Sequence, residues 1–250
     1  MIKFFRKIRQ RLLSENKFSK YLVYAVGEII LVVIGILIAL QINNANEQRK
    51  ENEFELKILK EIRSNLQTDL EEILEDIGLM EDINNACSVV KNYILTQDEP
   101  NDTLSYYSAH LRVTPHFSPI VGGYDLLKSG DVGIIKNDSL RKEISYLYDM
   151  LYPYYKTYEE ERSRFHILHS EHKLLEYFSM NFDMKQNISY YGLFFEISQE
   201  DFTKLKTDTQ FLKLLSAISF ENSATLDRAK RIEQSIQTLI ENINSELKSE

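Results

Sequence analysis

The chain has one cysteine, no tryptophan, four prolines and eight glycines among its 250 residues. A lone Cys87 excludes an intrachain disulfide and a cysteine-rich metal site. It falls in an apolar helical series and reads as a small buried side chain. Basic excess is also missing. The formal charge is −8, which argues against a nucleic-acid partner, since such partners need a basic patch. The sequence holds no G-x-S-x-G, no H-E-x-x-H, no G-x-x-x-x-G-K-[ST] and no G-x-G-x-x-G. His166, His169 and His172 stand at i, i+3 and i+6. Six residues turn a helix by about 600°, so the end members point about 120° apart and do not converge on one metal. Glu71-Glu72 and Glu159-Glu160 lie in heavily charged helical stretches and read as solvated. The expectation is of no catalytic residue, no metal and no cofactor: the chain is not an enzyme.

One long apolar run is present. Tyr21 to Ile42 reads YLVYAVGEIILVVIGILIALQI, with Glu28 as its single charge. A helix of this length reaches about 33 Å, enough to cross a bilayer core. It is apolar all round, unlike the amphipathic helix of a soluble core. NNANEQ follows without an A-x-A cleavage pattern, so an uncleaved anchor is expected. Lys3, Arg6, Lys7, Arg9, Arg11, Lys17 and Lys20 precede the run; Arg49, Lys50, Lys57 and Lys60 follow it. Seven against four puts the N-terminus in the cytoplasm and the rest outside, in the periplasm of a Gram-negative host.

Residues 1–20 carry +6 and Glu28 −1, which leaves −13 for residues 43–250. Phe5, Ile8 and Leu12 recur at helical spacing among Arg6, Arg9 and Arg11. That suits either a helix on an anionic leaflet or a plain basic tail. Twenty residues are too few for a cytoplasmic output domain. Within the run, Gly27, Gly35 and Ala39 share a row of small side chains that admits a second helix. Glu28 sits about two turns in, where ionisable side chains face a partner or a polar cavity. Gly27, Glu28, Gly35 and Ala39 are therefore the candidate membrane-association residues. The partners expected are the lipid bilayer and another membrane protein or a second copy of the chain, met through the span.

IKFFRKIRQRLLSENKFSKYLVYAVGEIILVVIGILIALQINN resembles the N-terminal signature of an uncharacterised family of single-pass Bacteroidota membrane proteins, known only as a domain of unknown function. YDLLKSGDVGIIKNDSLR, Tyr124 to Arg141, is similar to the second recurring pattern of that family. Ala45 stands where members usually carry an interfacial Trp. The resemblance implies a mainly helical exported part and brings no activity.

The remaining chain reads as helical. Leu59, Ile62, Leu66, Leu70, Ile73, Ile77 and Met80 step by three and four, the seam of a helix packing along one face. One helix is expected from about Asn46 to Leu95, either in an intrachain bundle or in a dimeric coiled coil. Gln97 to Val121 carries Pro100, Pro115 and Pro119 and reads as a long surface crossover with a short helix near Ser105–Leu111. A short helix then stops at Gly130 in the left-handed cap conformation. Ile134 and Ile135 enter the core, and Asn137 caps the next helix, which Pro153 kinks or ends. Six tyrosines crowd that point: Tyr146, Tyr148, Tyr152, Tyr154, Tyr155 and Tyr158. Tyr148, Tyr152, Tyr155 and Tyr158 are the candidate ligand pocket, against a reading in which the tyrosines are shared between core and surface.

Beyond them, His172 follows Phe165 and Leu168 on the core-facing side. Asn181 to Gln199 is irregular: an apolar loop, a short strand pair or a lid. Phe211, Leu214, Leu215 and Ile218 mark a short helix. A last helix carries Ala229, Ile232, Ile236, Leu239 and Ile243 and packs beside the Leu59–Met80 seam.

The fold class expected is all-α: one N-terminal transmembrane helix followed by an elongated helical bundle with long antiparallel helices. Residues 1–20 form a basic cytoplasmic segment, 21–42 the transmembrane helix and 43–250 the exported domain. The function expected is that of an accessory or scaffolding subunit of a membrane complex. The alternative is a periplasmic ligand-binding or sensing module that signals through a membrane partner.

Overall fold

The computed structural model of the chain describes residues 18–130 and 132–249. They divide into two compact units, Met1–Glu55 and Leu56–Glu250. The expected boundary, at residue 43, lies earlier. Residues 43–51 are as exposed as the apolar run before them, and full burial begins only at Glu55. The basic segment 1–20 lies outside the described residues except for its last three.

The first unit consists of the opening stretch of helix α1 (Phe18–Thr96). No proline interrupts it, and its leucines and alanines favour helix. The large apolar side chains from Leu22 to Ile42 are exposed; Leu31, near the middle, is 65% exposed. Among the described residues this is the one helix long and apolar enough to cross a membrane.

The second unit is mostly helical. In α1, the seam residues Leu59, Ile62, Leu66, Ile73, Ile77 and Met80 are buried as their spacing predicts. Leu70 is only half-buried; Asp69 takes the buried position. Helix α8 (Thr209–Ser249) lies against α1 in the opposite direction. Arg63 donates to Asn244 (3.0 Å), Lys230 pairs with Glu81 (2.6 Å), and Asn222 Nδ2 donates to the Met80 carbonyl (2.6 Å). The short helix read at Phe211–Ile218 and the last helix read at Ala229–Ile243 are one, because no glycine or proline falls between Thr209 and Ser249.

Between these two helices the chain forms α2 (Asp102–His110), α3 (Gly122–Ser129), a 3-10 turn (Val132–Ile134), α4 (Asp138–Tyr146), α5 (Tyr152–Phe165) and α6 (Glu171–Leu175). Helix α7 (Gln199–Thr207) precedes α8. Asn101 and Asn137 accept hydrogen bonds from the first free N–H groups of α2 and α4, as N-caps do. Gly130 ends α3 in an extended rather than a left-handed conformation. Ile135 is fully buried, whereas Ile134 is half-buried.

The all-α expectation fails in one place. Strands β1 (Ser179–Phe182) and β2 (Leu193–Glu196) pair antiparallel, with Ser179 opposite Glu196 and Phe182 opposite Leu193. Tyr191 and Gly192 turn the chain just before β2, both at positive φ (51° and 82°). Two such residues suit a tight primed turn, and Phe195 anchors the sheet in the core.

Proline did not end the α4–α5 helix. A π turn, Leu147–Leu151, precedes Pro153, and the Tyr152 N–H reaches back five residues to the Leu147 carbonyl. The wider turn accommodates a ring that lacks a donor. A second π turn, His166–Ser170, joins α5 to α6. These extra residues rotate the buried face. Glu159, Arg162, His166, Ser170 and Leu174 turn inward, while Leu168 (63% exposed) and His172 turn outward. The core-facing series expected through Leu168 and His172 is thereby corrected.

Candidate functional site

Residues 113–121 form an extended strap, anchored at its end by Gly123. Pro115 and Pro119 hold it out of helix and sheet. Its N–H groups must still find acceptors, and side chains supply them. His116 N donates to Asp76 (3.5 Å), Phe117 N to Glu159 (2.6 Å), Ser118 N to Glu72 (3.1 Å), Ile120 N to Asp69 (2.8 Å) and Gly123 N to Asn65 (2.9 Å). Asn65, Asp69, Glu72 and Asp76 step along α1 by four, three and four. They form a polar stripe beside the apolar seam, and the strap runs down it towards the N-terminal end of α1. Gly123 comes closest. A Cβ there would lie 2.8 Å from Ile62 N, so only glycine fits without displacement.

Burial sets the electrostatics. Asp69 and Asp76 are each pushed up to about 6 by loss of water, although the strap N–H groups pull the other way. Glu159, 4% exposed, is pushed up to about 7 by the same cause, against the Phe117 N–H and Lys156. Tyr152 donates to Asp69 at 2.8 Å. Its hydroxyl is pushed upward by burial and by the Asp69 charge. The reading of Glu159 and Glu72 as solvated is corrected: both hold the strap. Their neighbours Glu160 and Glu71 remain exposed.

The tyrosines divide. Tyr148, Tyr152 and Tyr155 line a cleft of about 240 Å³, with Phe117, Pro119 and Val121 of the strap opposite and Lys156 and Glu159 beside them. Phe117 lies 5.4 Å from the Tyr152 ring and 6.0 Å from that of Tyr155. Tyr158 does not line this cleft. Its hydroxyl shares a hydrogen bond with Tyr154 (3.0 Å), and its ring lies under Arg228 (4.5 Å). Tyr146 and Tyr154 are exposed. Behind the cleft, Arg162 is wholly buried with one long hydrogen bond, to the Val113 carbonyl (3.4 Å). Burial lowers it to about 10. Cys87 is buried, and its thiol is pushed up to about 12 by burial, so it is a poor nucleophile.

In the first unit, a methyl group added at Gly27 or Gly35 would meet nothing within 4 Å, so their row is open along the helix. Glu28, Ala25, Ile29, Val32 and Val33 border a shallow notch on the same helix. Ala39 is exposed. Among the described residues no group of His, Cys, Asp and Glu is arranged to hold a metal ion.

Sequence reasoning missed Asp69, Asp76 and Glu159. A usable signal was present: Asn65, Asp69, Glu72 and Asp76 share the period of the adjoining seam, and a stretch with two prolines and unpaired N–H groups lies downstream.

No curated protein and no solved structure matches the chain. Residues 28–223 match the model described as Family of unknown function (DUF6090). That stretch takes in Glu28, the strap and every residue of the cleft, and the chain belongs to this family.

Proposed function

We propose that the chain is an accessory or scaffolding subunit of a membrane complex, without enzymatic activity, recruited through its span. One observation carries this reading. No residue in the apolar window of α1 is buried in the structure, which leaves it for lipid and partner helices to cover. The row of Gly27, Gly35 and Ala39 permits close approach. Glu28 lies about two turns into the run, where ionisable side chains commonly mark contacts with other helices. We place the span in the inner membrane of a Bacteroidota host, N-terminus cytoplasmic. Residues 43–250 then lie in the periplasm as a helical bundle, built on the antiparallel α1–α8 pairing. The basic asymmetry and the N-terminal resemblance support that placement.

Two measurements test it. A phosphatase active only outside the cytoplasm, fused after Glu250, should be active; inactivity there reverses the topology. Association of the span in a membrane reporter, together with crosslinking and mass spectrometry in native membranes, should weaken on Glu28→Leu. Unchanged association and an unchanged crosslinking pattern make Glu28 a passenger and leave recruitment to the small-residue row. The tyrosine cleft favours a second reading, in which residues 43–250 bind a ligand and report it through a membrane partner.

A further inference from the structure

We propose that the tyrosine cleft binds a compact primary amine with an aromatic or apolar body. This rests on the ligand-binding reading and names its ligand class. The cleft holds about 240 Å³, below the roughly 300 Å³ at which drug-sized sites begin, so the ligand is small. Its walls are aromatic: Phe117 on the strap, and Tyr148, Tyr152 and Tyr155 opposite. Such faces attract cations as well as apolar bodies.

Glu159, at the border of the cleft, selects the head group. Glu159 is 4% exposed. One of its oxygens takes the Phe117 N–H at 2.6 Å, and the other accepts no hydrogen bond. Lys156 Nζ forms an ion pair with that second oxygen at 3.6 Å, too long for a hydrogen bond, so an entering amine would replace a loose pair with a tighter one. The Tyr155 hydroxyl is buried beside it and also unpaired. An acid would add a second negative charge here, and a purely apolar ligand would leave the carboxyl oxygen without a hydrogen-bond donor. An ammonium supplies three donors and sits well against aromatic faces. Lys156 is half-exposed on a flexible stem and can swing out as the amine enters. The −13 charge of residues 43–250 draws small cations towards the domain.

The groups facing Glu159 are Lys156 on its own helix, Asp76 on α1, Tyr155 and the Phe117 N–H. Burial holds the Glu159 carboxyl near neutrality. Since the amine needs it ionised, binding should weaken from pH 8 to pH 6.

The test is calorimetric titration of the full chain in detergent with three probes of one shape: tyramine, neutral 4-ethylphenol and 3-(4-hydroxyphenyl)propanoate. Saturable tyramine binding is expected, at least about tenfold tighter than either relative. Glu159→Gln should lose that preference. In case the variant unfolds, Val121→Trp fills the cleft mouth from the strap without touching Glu159 and should block binding. Equal binding of tyramine and 4-ethylphenol would overturn the amine assignment and leave the ligand-binding reading standing. No saturable binding of tyramine, or tyramine binding that survives both substitutions, would overturn the site itself.

Discussion

Residues 22–42 and residues 56–96 belong to one helix, α1, and meet opposite conditions. The first stretch is apolar on every face and exposes every face. The second buries a single seam, with charged side chains set directly beside it. Composition alone ranks the first as the more buried, and within the folded chain it is the less buried. Burial therefore follows from what lies alongside, not from hydropathy. Asp69 is fully buried and Leu70 is not, and the buried carboxylate is met by the Ile120 N–H of the strap and the Tyr152 hydroxyl.

The largest effect should separate the two stretches. Leu66 is fully buried in the seam. Leu66→Ala is expected to lower unfolding stability by about 2–5 kcal/mol, the range for a lost core side chain with its cavity. Ile34→Ala, at 48% exposure, should leave that unfolding unchanged. Urea titration of the full chain in detergent, followed by far-UV circular dichroism, reads both. Equal losses would mean that the span packs against the folded unit.

Next comes the polar stripe. Asp69→Leu leaves the Ile120 N–H and the Tyr152 hydroxyl without an acceptor, at about 1–3 kcal/mol each. Asp69→Asn keeps an acceptor oxygen and should lose clearly less. If the two variants unfold alike, the strap hydrogen bonds contribute nothing and the aspartate is merely tolerated. Amide hydrogen exchange at Ile120, faster in Asp69→Leu than in Asp69→Asn, would localise the loss to the strap.

Gly123 gives a smaller effect through shape alone. A Cβ would meet Ile62 N at 2.8 Å and the Asn65 side chain at 3.0 Å. Gly123→Ala should therefore cost about 1–3 kcal/mol, as overpacking does. Gly78→Ala is the control, since its Cβ meets nothing within 4 Å; it should stabilise the helix slightly.

What was legible in the sequence follows a physical division. Local patterns revealed the α1 seam, the Ala229–Ile243 face, the Asn137 cap and the length of the apolar run, because each is written within one element; the Asn101 cap was not read. The strap was legible only as a proline-bearing crossover. Four of its partners lie roughly forty to sixty residues upstream on α1 and the fifth, Glu159, lies 42 residues downstream on α5, and no local pattern joins Ile120 to Asp69. The π turns were illegible for another reason. Each adds one residue to a turn and shifts the face of everything after it, which is why His172 was placed inside and is found outside. Tyr148, Tyr152 and Tyr155 could be singled out as a cluster. That Tyr158 belongs instead to an exposed pair with Tyr154 depended on Arg228, seventy residues further on.

The last effect concerns protons, and its sign runs against common experience of acid unfolding. Asp76 and Glu159 have folded values raised by burial, to about 6 and about 7. Between about pH 4 and those values the folded chain holds protons that the unfolded chain has released. Their contribution to stability is fully present below about pH 4 and is lost as the pH rises through 6 and 7. Each changes stability by about 1.4 kcal/mol per pH unit inside its window. His110 and His166 oppose this. Burial lowers both, so the unfolded chain takes up their protons first and stability falls as the pH drops below about 6.5. Comparing wild type with Asp76→Asn/Glu159→Gln cancels the histidines. The stability difference, wild type minus variant, should grow in favour of the wild type on going from pH 7.5 to pH 5.5. Urea midpoints at pH 7.5, 6.5 and 5.5 measure it. A difference that stays constant would mean that these two carboxyls keep ordinary values, and that the strap side of the molecule is as wet as the exposed faces of α1.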